Sequence, residues 1–294
     1  MPDGAVVSEA GALCSLYEAT AERPSTRQKP VSSSAGAVSD HDFNRAILNQ
    51  VSHRPWPMPE KPWVMTQTWH DLLFAHWPVD AKALRDHVPS EFVLDLFDGT
   101  AWVGIIPFHM TNVAPRGVPS LPWVSEFPEL NVRTYVRVNE RPGVYFFSLD
   151  AGSTLAVQAA RFLLNLPYYS AAMSVTPNAG NIEYDSRRHD GAATLAASYR
   201  PVGAPFEAVS GSLEYFLTER YCLYNLDRRA VPYRLEIHHP PWPLQPADAE
   251  FTRNTMADAA RVSLPDMKPL LHFSKRQDMV AWPPTALSAG SCEP

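Results

Sequence analysis

The sequence predicts an α+β fold, mainly antiparallel β, built around a curled sheet or open barrel with a few peripheral helices. Short segments with strand-like patterning follow one another from residue 101 to residue 275, and predicted helices interrupt them. The Pro-Asn-Ala-Gly run at residues 177–180 is typical of a tight turn between two antiparallel strands. A sheet of short, closely connected strands is therefore expected.

The strand predictions rest on two apolar patterns. Residues 101–109 are almost wholly apolar, as expected of a strand buried on both faces, whereas residues 131–138 alternate strictly between apolar and polar. Six further segments have strand-like composition: residues 144–149, 170–175, 181–185, 194–200, 233–238 and 270–275.

The helix predictions rest on start signals. Asp80, Ser153 and Ser212 can each accept a hydrogen bond from an N–H of a first helical turn, and a fourth helix would follow a proline. The predicted helices cover residues 81–88, 154–165, 213–223 and 247–260.

Composition limits the class of partner. Hydrophobic residues make up 45% of the 294 residues, so the chain can bury a full core. The formal net charge of −6 argues against attraction to nucleic acid or to anionic membranes. We therefore expect a small-molecule substrate or ligand, with no nucleic acid and no membrane, and allow for a homo-oligomer.

The three cysteines are far apart and indicate neither a disulfide framework nor a thiolate metal site. No apolar run approaches the roughly 18–20 residues of a membrane helix, and the acidic start of the chain is unlike a signal peptide. These features predict a cytoplasmic protein.

The predicted domain organisation has three parts. Residues 1–50 are rich in small and polar residues and are expected to form a flexible tail. Residues 51–284 form a single domain, and residues 285–294 form a C-terminal tail.

Four runs of sequence carry a resemblance to a known family. They are PWVMTQTWHDLLFAHW at residues 62–77, FPELNVRTY at 127–135, PGVYFFSLDA at 142–151 and IHHPPWPLQ at 237–245. Through them, residues 55–283 resemble the YqjF-like family of uncharacterised conserved proteins.

The run Arg-Phe-Leu-Leu-Asn-Leu-Pro-Tyr-Tyr at residues 161–169, together with Glu129 and residues 83–89, supports a more distant resemblance to the acetoacetate decarboxylase-like superfamily. That resemblance implies a cone-shaped β-barrel with a central cavity lined by an arginine, a glutamate and two adjacent lysines, of which the first forms a Schiff base with the keto acid. His70 stands here at the arginine position and Tyr168 and Tyr169 at the lysine positions.

The tyrosines change the chemistry that this resemblance implies. A tyrosine can donate a proton or polarise a carbonyl, but it cannot form an imine. Tyr168 also has a structural interpretation, as an amphipathic core residue whose hydroxyl has one partner.

A strand from Glu129 onward would place Glu129, Asn131, Arg133 and Tyr135 on one face. Facing solvent, these would be ordinary surface residues. Facing the interior, they would suit the orientation of a polar ligand and the movement of a proton. Arg133 is expected to form an ion pair with Glu129.

Gln158, Arg161 and Asn165 form a narrow polar stripe on an otherwise apolar predicted helix. The stripe either faces solvent, which general exposure statistics for arginine favour, or brings Arg161 to a carboxylate such as Glu129 or Asp150, or to a substrate acid.

Neither Schiff-base nor metal chemistry finds further support. Lys275 is the only lysine on a predicted strand, and the histidine spacings do not supply the three or four ligands of a zinc site. No cofactor is required.

The sequence thus predicts a small-molecule enzyme that uses general acid/base chemistry on a carbonyl or carboxylate-bearing metabolite: an aldol-type lyase, dehydratase, cyclase or tautomerase. The predicted catalytic residues are Glu129, Tyr168 and His70, and the predicted substrate-binding residues are Arg161, Arg133, Asn131 and Tyr169. The alternative is a noncatalytic ligand-binding protein that kept the cavity and lost the reactive lysine.

Overall fold

The computed structural model describes residues 46–118 and 125–287. The strands are β1 (Met65–Val79), β2 (Val93–Leu94), β3 (Ala101–Pro115), β4 (Phe127–Val138), β5 (Arg141–Ala151), β6 (Tyr168–Asn178), β7 (Asn181–Arg188), β8 (Thr194–Pro201), β9 (Cys222–Leu226), β10 (Pro232–His238), β11 (Gln245–Asn254), β12 (Leu270–Ala281) and β13 (Thr285–Ala286). Short helices connect them: α1 (Ala81–Arg85), α2 (Thr154–Leu164), α3 (Leu213–Thr218) and α4 (Met256–Ala259).

The strands form one 13-stranded sheet whose pairings close on themselves. The order is β13-β10-β9-β5-β6-β7-β8-β11-β12-β1-β3-β4-β2, and β5 also pairs with β4 while β10 also pairs with β12. The result is ring-like. Pairing is antiparallel among the described strands except where β5 meets β6 and β9. The predicted class, mainly antiparallel β with a few short helices, is confirmed.

The central strands β1, β3 and β4 are buried on both sides. One side carries Phe74 and Phe108 and packs against Trp242; we call it the Phe108 face. The other carries Leu130 and packs against Tyr184 of β7; we call it the Leu130 face. Side chains on both faces are therefore largely shielded from bulk water in the middle of these strands, whereas Asn112 and Arg137 near the strand ends are exposed.

Several local predictions are confirmed. Ser153 caps α2 by accepting a hydrogen bond from Ala156, and Asn165 ends that helix in the left-handed conformation, with φ 49°. β6 and β7 form the expected hairpin around Ala179 and Gly180, whose φ values of 48° and 88° are those of a tight two-residue turn.

The helix predicted over residues 247–260 is wrong. Most of this segment is β11, paired with β8, and only Met256–Ala259 is helical. Its side chains alternate between half-buried Ala249 and Phe251 and exposed Asp248 and Glu250, a period of two that suits a strand with one covered face.

Two predicted helices are also shorter than expected. Residues 86–88 form a turn after α1. Hydrogen bonds from the Arg85 guanidinium to the carbonyl oxygens of Val88 and Phe92 stabilise this turn. α3 ends at Thr218, and by Cys222 the chain has entered β9. β1 was not predicted, because its sequence mixes polar and apolar residues without a regular period and the bulge at Asp71 interrupts the alternation of its side chains.

The predicted tails meet the described residues only at their inner ends. Residues 1–45 and 288–294 lie outside the described part of the chain. Ile47 is buried against Trp63 and Trp282, so the packed region starts before residue 51. Thr285–Ala286 pairs with β10, which extends the ordered chain past residue 284. No helix in the described ranges is long and apolar enough to cross a membrane.

Candidate active site

A row of polar side chains occupies the Phe108 face of β4. The register pairs Glu129 with Phe108 and Asn131 with Ile106 on β3, and cross-strand partners share a face. Glu129 is 4% exposed and Asn131 5% exposed. The interpretation of this face as a solvent-facing surface is thereby excluded, because both side chains are buried. The predicted interior cavity beside them stays a prediction.

Glu129 and Tyr168 are in direct contact. Asn131 is paired with Leu149 of β5, and Leu149 is paired with Tyr168 of β6. Because paired residues share a face, Tyr168 lies on the Phe108 face with Glu129 and Asn131. Its hydroxyl donates a hydrogen bond to Glu129 Oε2 at 3.0 Å. The predicted proximity of these two residues is confirmed, while their chemical roles stay predictions.

The surroundings of Glu129 keep its carboxyl group neutral at low and moderate pH. Burial raises its pKa from 4.5 to about 8, the hydrogen bond from Tyr168 opposes that shift, and the negative charge of Asp150 adds to it. Burial and the neighbouring Glu129 raise the pKa of Tyr168 well above 10. At neutral pH the protonated form of Glu129 is therefore favoured.

The backbone at Glu129 is held from the Leu130 face. Tyr184, which is fully buried, donates a hydrogen bond to the carbonyl oxygen of Glu129 at 2.7 Å. Apolar residues including Phe108, Phe127 and Ala151 surround the pair on its own face. The Glu129–Tyr168 pair therefore sits on a rigid, mostly apolar support.

Arg133 and Tyr135 continue the polar row, but Arg133 does not pair with Glu129. The guanidinium of Arg133 donates to the carbonyl oxygen of Leu217 at 3.1 Å and lies over the ring of Phe74 at 5.5 Å. Glu129 and Arg133 are four residues apart on one strand, about 13 Å between Cα atoms. That distance explains why the predicted ion pair does not form.

His76 joins this end of the row. Its Nε2 lies 2.6 Å from the Tyr135 hydroxyl, and the Tyr135 hydroxyl lies 2.8 Å from the carbonyl oxygen of Leu217. Burial and the positive charge of Arg133 hold the pKa of His76 well below 6.5. Sequence reasoning missed His76 as a site residue, although it lies in the run at residues 62–77.

His70 is not part of this site. Relative to β3, β1 has one extra residue between His70 and Ala75, and Asp71 lies there with φ 49°. Such a bulge reverses the side on which the following residues project. His70 therefore lies opposite the Phe108 face, with Nε2 2.8 Å from the Thr111 hydroxyl.

Tyr169 and Arg161 also lie elsewhere. Tyr169 is in register with Asp150, whose β4 partner is Leu130, so Tyr169 lies on the Leu130 face. The guanidinium of Arg188 lies 3.8 Å from its ring centroid, and exposed Arg161 lies 5.5 Å from it on α2. The solvent-facing interpretation of the α2 stripe is the better one.

Arg188 was missed by sequence reasoning and is the partner of Asp150. Its Nε and Nη2 donate to the two carboxylate oxygens at 2.9 and 2.6 Å, and both side chains are buried. No sequence signal connected residues 38 positions apart on two strands. This two-point ion pair stabilises the sheet beside the site.

In the part of the chain that the structure describes, the one lysine on a predicted strand lies at the surface and no metal-binding cluster occurs. Lys275 is 75% exposed and pairs with Asp71 at 2.5 Å. The described residues contain no cluster of three His, Cys, Asp or Glu side chains that could hold a metal ion. Two surface clefts, one beside Arg54 and Trp56 and one beside Tyr233, do not include Glu129 or Tyr168.

Comparison with known proteins decides the family. The model of the family described as uncharacterized conserved protein, DUF2071, matches residues 66–278. The chain belongs to this family. It is 49% identical over 227 residues to the uncharacterized protein YqjF of Bacillus subtilis (strain 168). The matched region covers 77% of this chain and 93% of YqjF. The expected YqjF-like membership is confirmed.

Solved structures show the wider fold relationship. The acetoacetate decarboxylase of Legionella pneumophila subsp. pneumophila str. Philadelphia 1 superposes with a TM-score of 0.53 at 13% identity, over 82% of this chain and 94% of that one. The enduracididine biosynthesis enzyme MppR complexed with pyruvate gives 0.54 at 11% identity, over 81% and 93%. The fold of this DUF2071 member is therefore acetoacetate decarboxylase-like.

Proposed function

We propose that this protein is an enzyme that acts on a small carbonyl or carboxylate-bearing metabolite by general acid/base chemistry and without a Schiff-base lysine. The reaction classes that fit are an aldol-type lyase, a dehydratase, a cyclase and a tautomerase. Each needs a proton moved at, or next to, a carbonyl group.

The observation that carries this proposal is the partly buried hydrogen bond between Tyr168 and Glu129, 3.0 Å long. Burial raises the pKa of Glu129 to about 8, so the carboxyl group exchanges its proton near neutral pH. A purely structural carboxylate of this kind would be costly, since a buried group without a cation is destabilising when ionised.

The roles follow from the protonation states. The Tyr168 hydroxyl, neutral at all physiological pH values, is the donor that stabilises negative charge developing on a substrate oxygen. Ionised Glu129 removes a proton from the carbon beside the carbonyl, and the resulting carboxylic acid returns a proton to carbon or oxygen. Both groups end the cycle as they began.

Asn131 and Arg133 supply the groups that orient the substrate. Both lie on the same strand and face as Glu129. Arg133 forms no ion pair with a described carboxylate, and its position next to Asn131 suits a polar end of a bound molecule. A cone-shaped barrel with a central cavity around these residues is the scaffold we propose.

Fold likeness adds support of a general kind. Two similar structures are an acetoacetate decarboxylase and the enzyme MppR complexed with pyruvate. Acetoacetate and pyruvate are small carbonyl acids, and the candidate site in this protein lies on strands of the same fold. We further propose a cytoplasmic protein with a small-molecule partner, in keeping with the buried free thiol of Cys222.

A noncatalytic ligand-binding protein is the second candidate. The observation in its favour is the apolar packing around Glu129, where Phe108, Phe127 and Ala151 form a core cluster. In that case, Tyr168 and Glu129 would recognise a ligand without turning it over.

Exchange of carbon-bound hydrogen tests the proposal with pyruvate as the probe. The protein is incubated with pyruvate in deuterated water, and loss of the methyl proton signal is followed by NMR. We expect exchange above the buffer rate, lost in Glu129→Gln and retained in Glu250→Gln, which alters an exposed glutamate on β11. Pyruvate binding without any exchange would favour the ligand-binding alternative.

Borohydride trapping in the same mixture tests the absence of an imine. Mass analysis should show no added mass on any lysine, because the two positions that would carry the lysine pair hold Tyr168 and Tyr169. A reduced pyruvate adduct on Lys275 or another lysine would contradict this part of the proposal.

A further inference from the structure

The far end of the polar row is built around a glycine. Gly104 of β3 lies between His76 of β1 and Arg133 of β4, opposite both. A Cβ atom at Gly104 would lie 3.0 Å from His76 Cδ2 and Nε2. The missing side chain therefore leaves the space in which His76, Tyr135 and Arg133 meet across β3.

The hydrogen bonds fix the tautomer of His76. A carbonyl oxygen can only accept, so the Tyr135 hydroxyl must donate to Leu217. The Tyr135 oxygen must then accept from His76 Nε2, which carries the proton. Nδ1 of His76, in a fully buried ring, is left with a lone pair and has no hydrogen-bond partner among the described residues.

Three other buried polar atoms of the same region lack hydrogen-bond partners within residues 46–118 and 125–287. Nε of Arg133 and Nε1 of Trp242 are donors, and Oδ1 of Asn131 is an acceptor. Arg133, Trp242 and His76 all contact the ring of Phe74, so they lie around that ring on the Phe108 face, and Asn131 lies on the same face of β4 as Arg133. Unsatisfied buried groups in such a cluster indicate a polar ligand.

The balance of donors and acceptors selects the ligand's chemistry. A carboxylate accepts hydrogen bonds only, so it would satisfy Arg133 and Trp242 and leave the lone pairs of His76 and Asn131 unmatched. A hydroxyl group can accept from both Arg133 and Trp242 and can donate its one hydrogen to either His76 or Asn131, so it matches three of the four groups. We propose that this subsite of His76, Arg133, Asn131 and Trp242 binds a hydroxyl group of the substrate, which makes the substrate a hydroxylated carbonyl compound. This inference rests on the proposed function, since it takes the Glu129–Tyr168 pair as the place of the carbonyl.

The charge of Arg133 is the competing consideration, since an unpaired cation attracts anions. Here the guanidinium is already stabilised by the Leu217 carbonyl oxygen and by the rings of Phe74 and Tyr135, at 5.5 and 5.7 Å. A carboxylate would also face the His76 lone pair. Attraction of a carboxylate to Arg133 and its repulsion by the His76 lone pair oppose each other. Ligands that differ only in the group placed at this subsite show which effect is larger.

Calorimetric titration with three matched ketones tests the proposal on the unaltered protein. The probes are 2-pentanone, 5-hydroxy-2-pentanone and levulinate, which place a methyl, a hydroxyl and a carboxylate at the same end of the molecule. We expect 5-hydroxy-2-pentanone to bind about tenfold more tightly than either of the others. Equal binding of the first two, tighter binding of levulinate or no binding at all would overturn the proposal.

Two variants locate the effect. His76→Phe removes the acceptor and should abolish the preference for the hydroxyl compound, whereas His70→Phe changes a histidine on the opposite face of β1 and should keep it. Retention of the preference in both would overturn the assignment. If His76→Phe fails to fold, Asn131→Leu serves in its place. Failure of the proposed function gives a different result: pyruvate shows no hydrogen exchange, while the preference for the hydroxyl compound is kept.

Discussion

Tyr168 and Tyr169 are adjacent in the chain and lie on opposite faces of β6. Tyr168 donates to Glu129 at 3.0 Å, and Tyr169 lies under the guanidinium of Arg188, 3.8 Å from its ring centroid. Alternation along a strand separates them completely. One tyrosine of the pair thus belongs to the candidate active site and the other to a structural cluster.

This separation gives a matched pair of hydroxyl deletions. Tyr168→Phe should lower the rate of hydrogen exchange by about 100- to 1,000-fold, the effect of losing one oxyanion donor, with a small change in stability. Tyr169→Phe should keep the rate, because its hydroxyl lies on the other face. Equal exchange rates in the two variants, measured by NMR, would reject Tyr168 as a functional group.

The raised pKa of Glu129 predicts a pH dependence of stability. Its pKa is 4.5 in the unfolded chain and about 8 in the folded protein, so folding favours the protonated form. The stabilising contribution is complete below pH 4.5 and falls as pH rises to 8, by at most about 1.4 kcal/mol per pH unit.

Glu129→Gln removes this titration. Urea unfolding of both proteins should show the variant gaining stability relative to the unaltered protein from pH 5 to pH 8, with no further gain above pH 9. Glu250→Gln, at an exposed site, should show no such trend. A stability difference that is the same at pH 5 and pH 9 would contradict the burial of an ionisable Glu129.

The ion pair between Asp150 and Arg188 should contribute strongly to stability only as a pair. Their side chains are 0% and 4% exposed, so Asp150→Asn leaves a buried charge without its partner and should cost about 3–5 kcal/mol. Asp248→Asn, in the exposed Arg200–Asp248 pair at 3.8 Å, should cost less than about 1 kcal/mol. Similar losses for both in urea unfolding would argue against this account.

Gly104 should tolerate a side chain better when His76 is absent. Gly104→Ala places a methyl group 3.0 Å from two ring atoms of His76 and 3.1 Å from the flexible Cδ1 end of Ile106, and should cost about 1–3 kcal/mol. The same change in a His76→Ala protein should cost much less, because the ring that it meets is gone. Additive losses in the double variant would show that the clash is with something else.

Local sequence determined much of the secondary structure of this protein. The cap at Ser153, the hairpin at residues 177–180 and the alternation from Glu129 to Tyr135 each depend on residues close together in the chain. The sequence did not decide whether the face that carries Glu129 is buried or exposed to solvent. Alternation shows which residues share a face and not which face is covered.

Tertiary structure decided which residues meet at the candidate site. His70 and His76 are an even number of residues apart, so a regular strand would put them on one face, but the bulge at Asp71 separates them. Arg188 reaches Asp150, and Tyr184 reaches the Glu129 carbonyl, from strands paired elsewhere in the sheet. A bulge and a long-range pairing are set by how whole strands pack, and short-range sequence patterns carry little information about either.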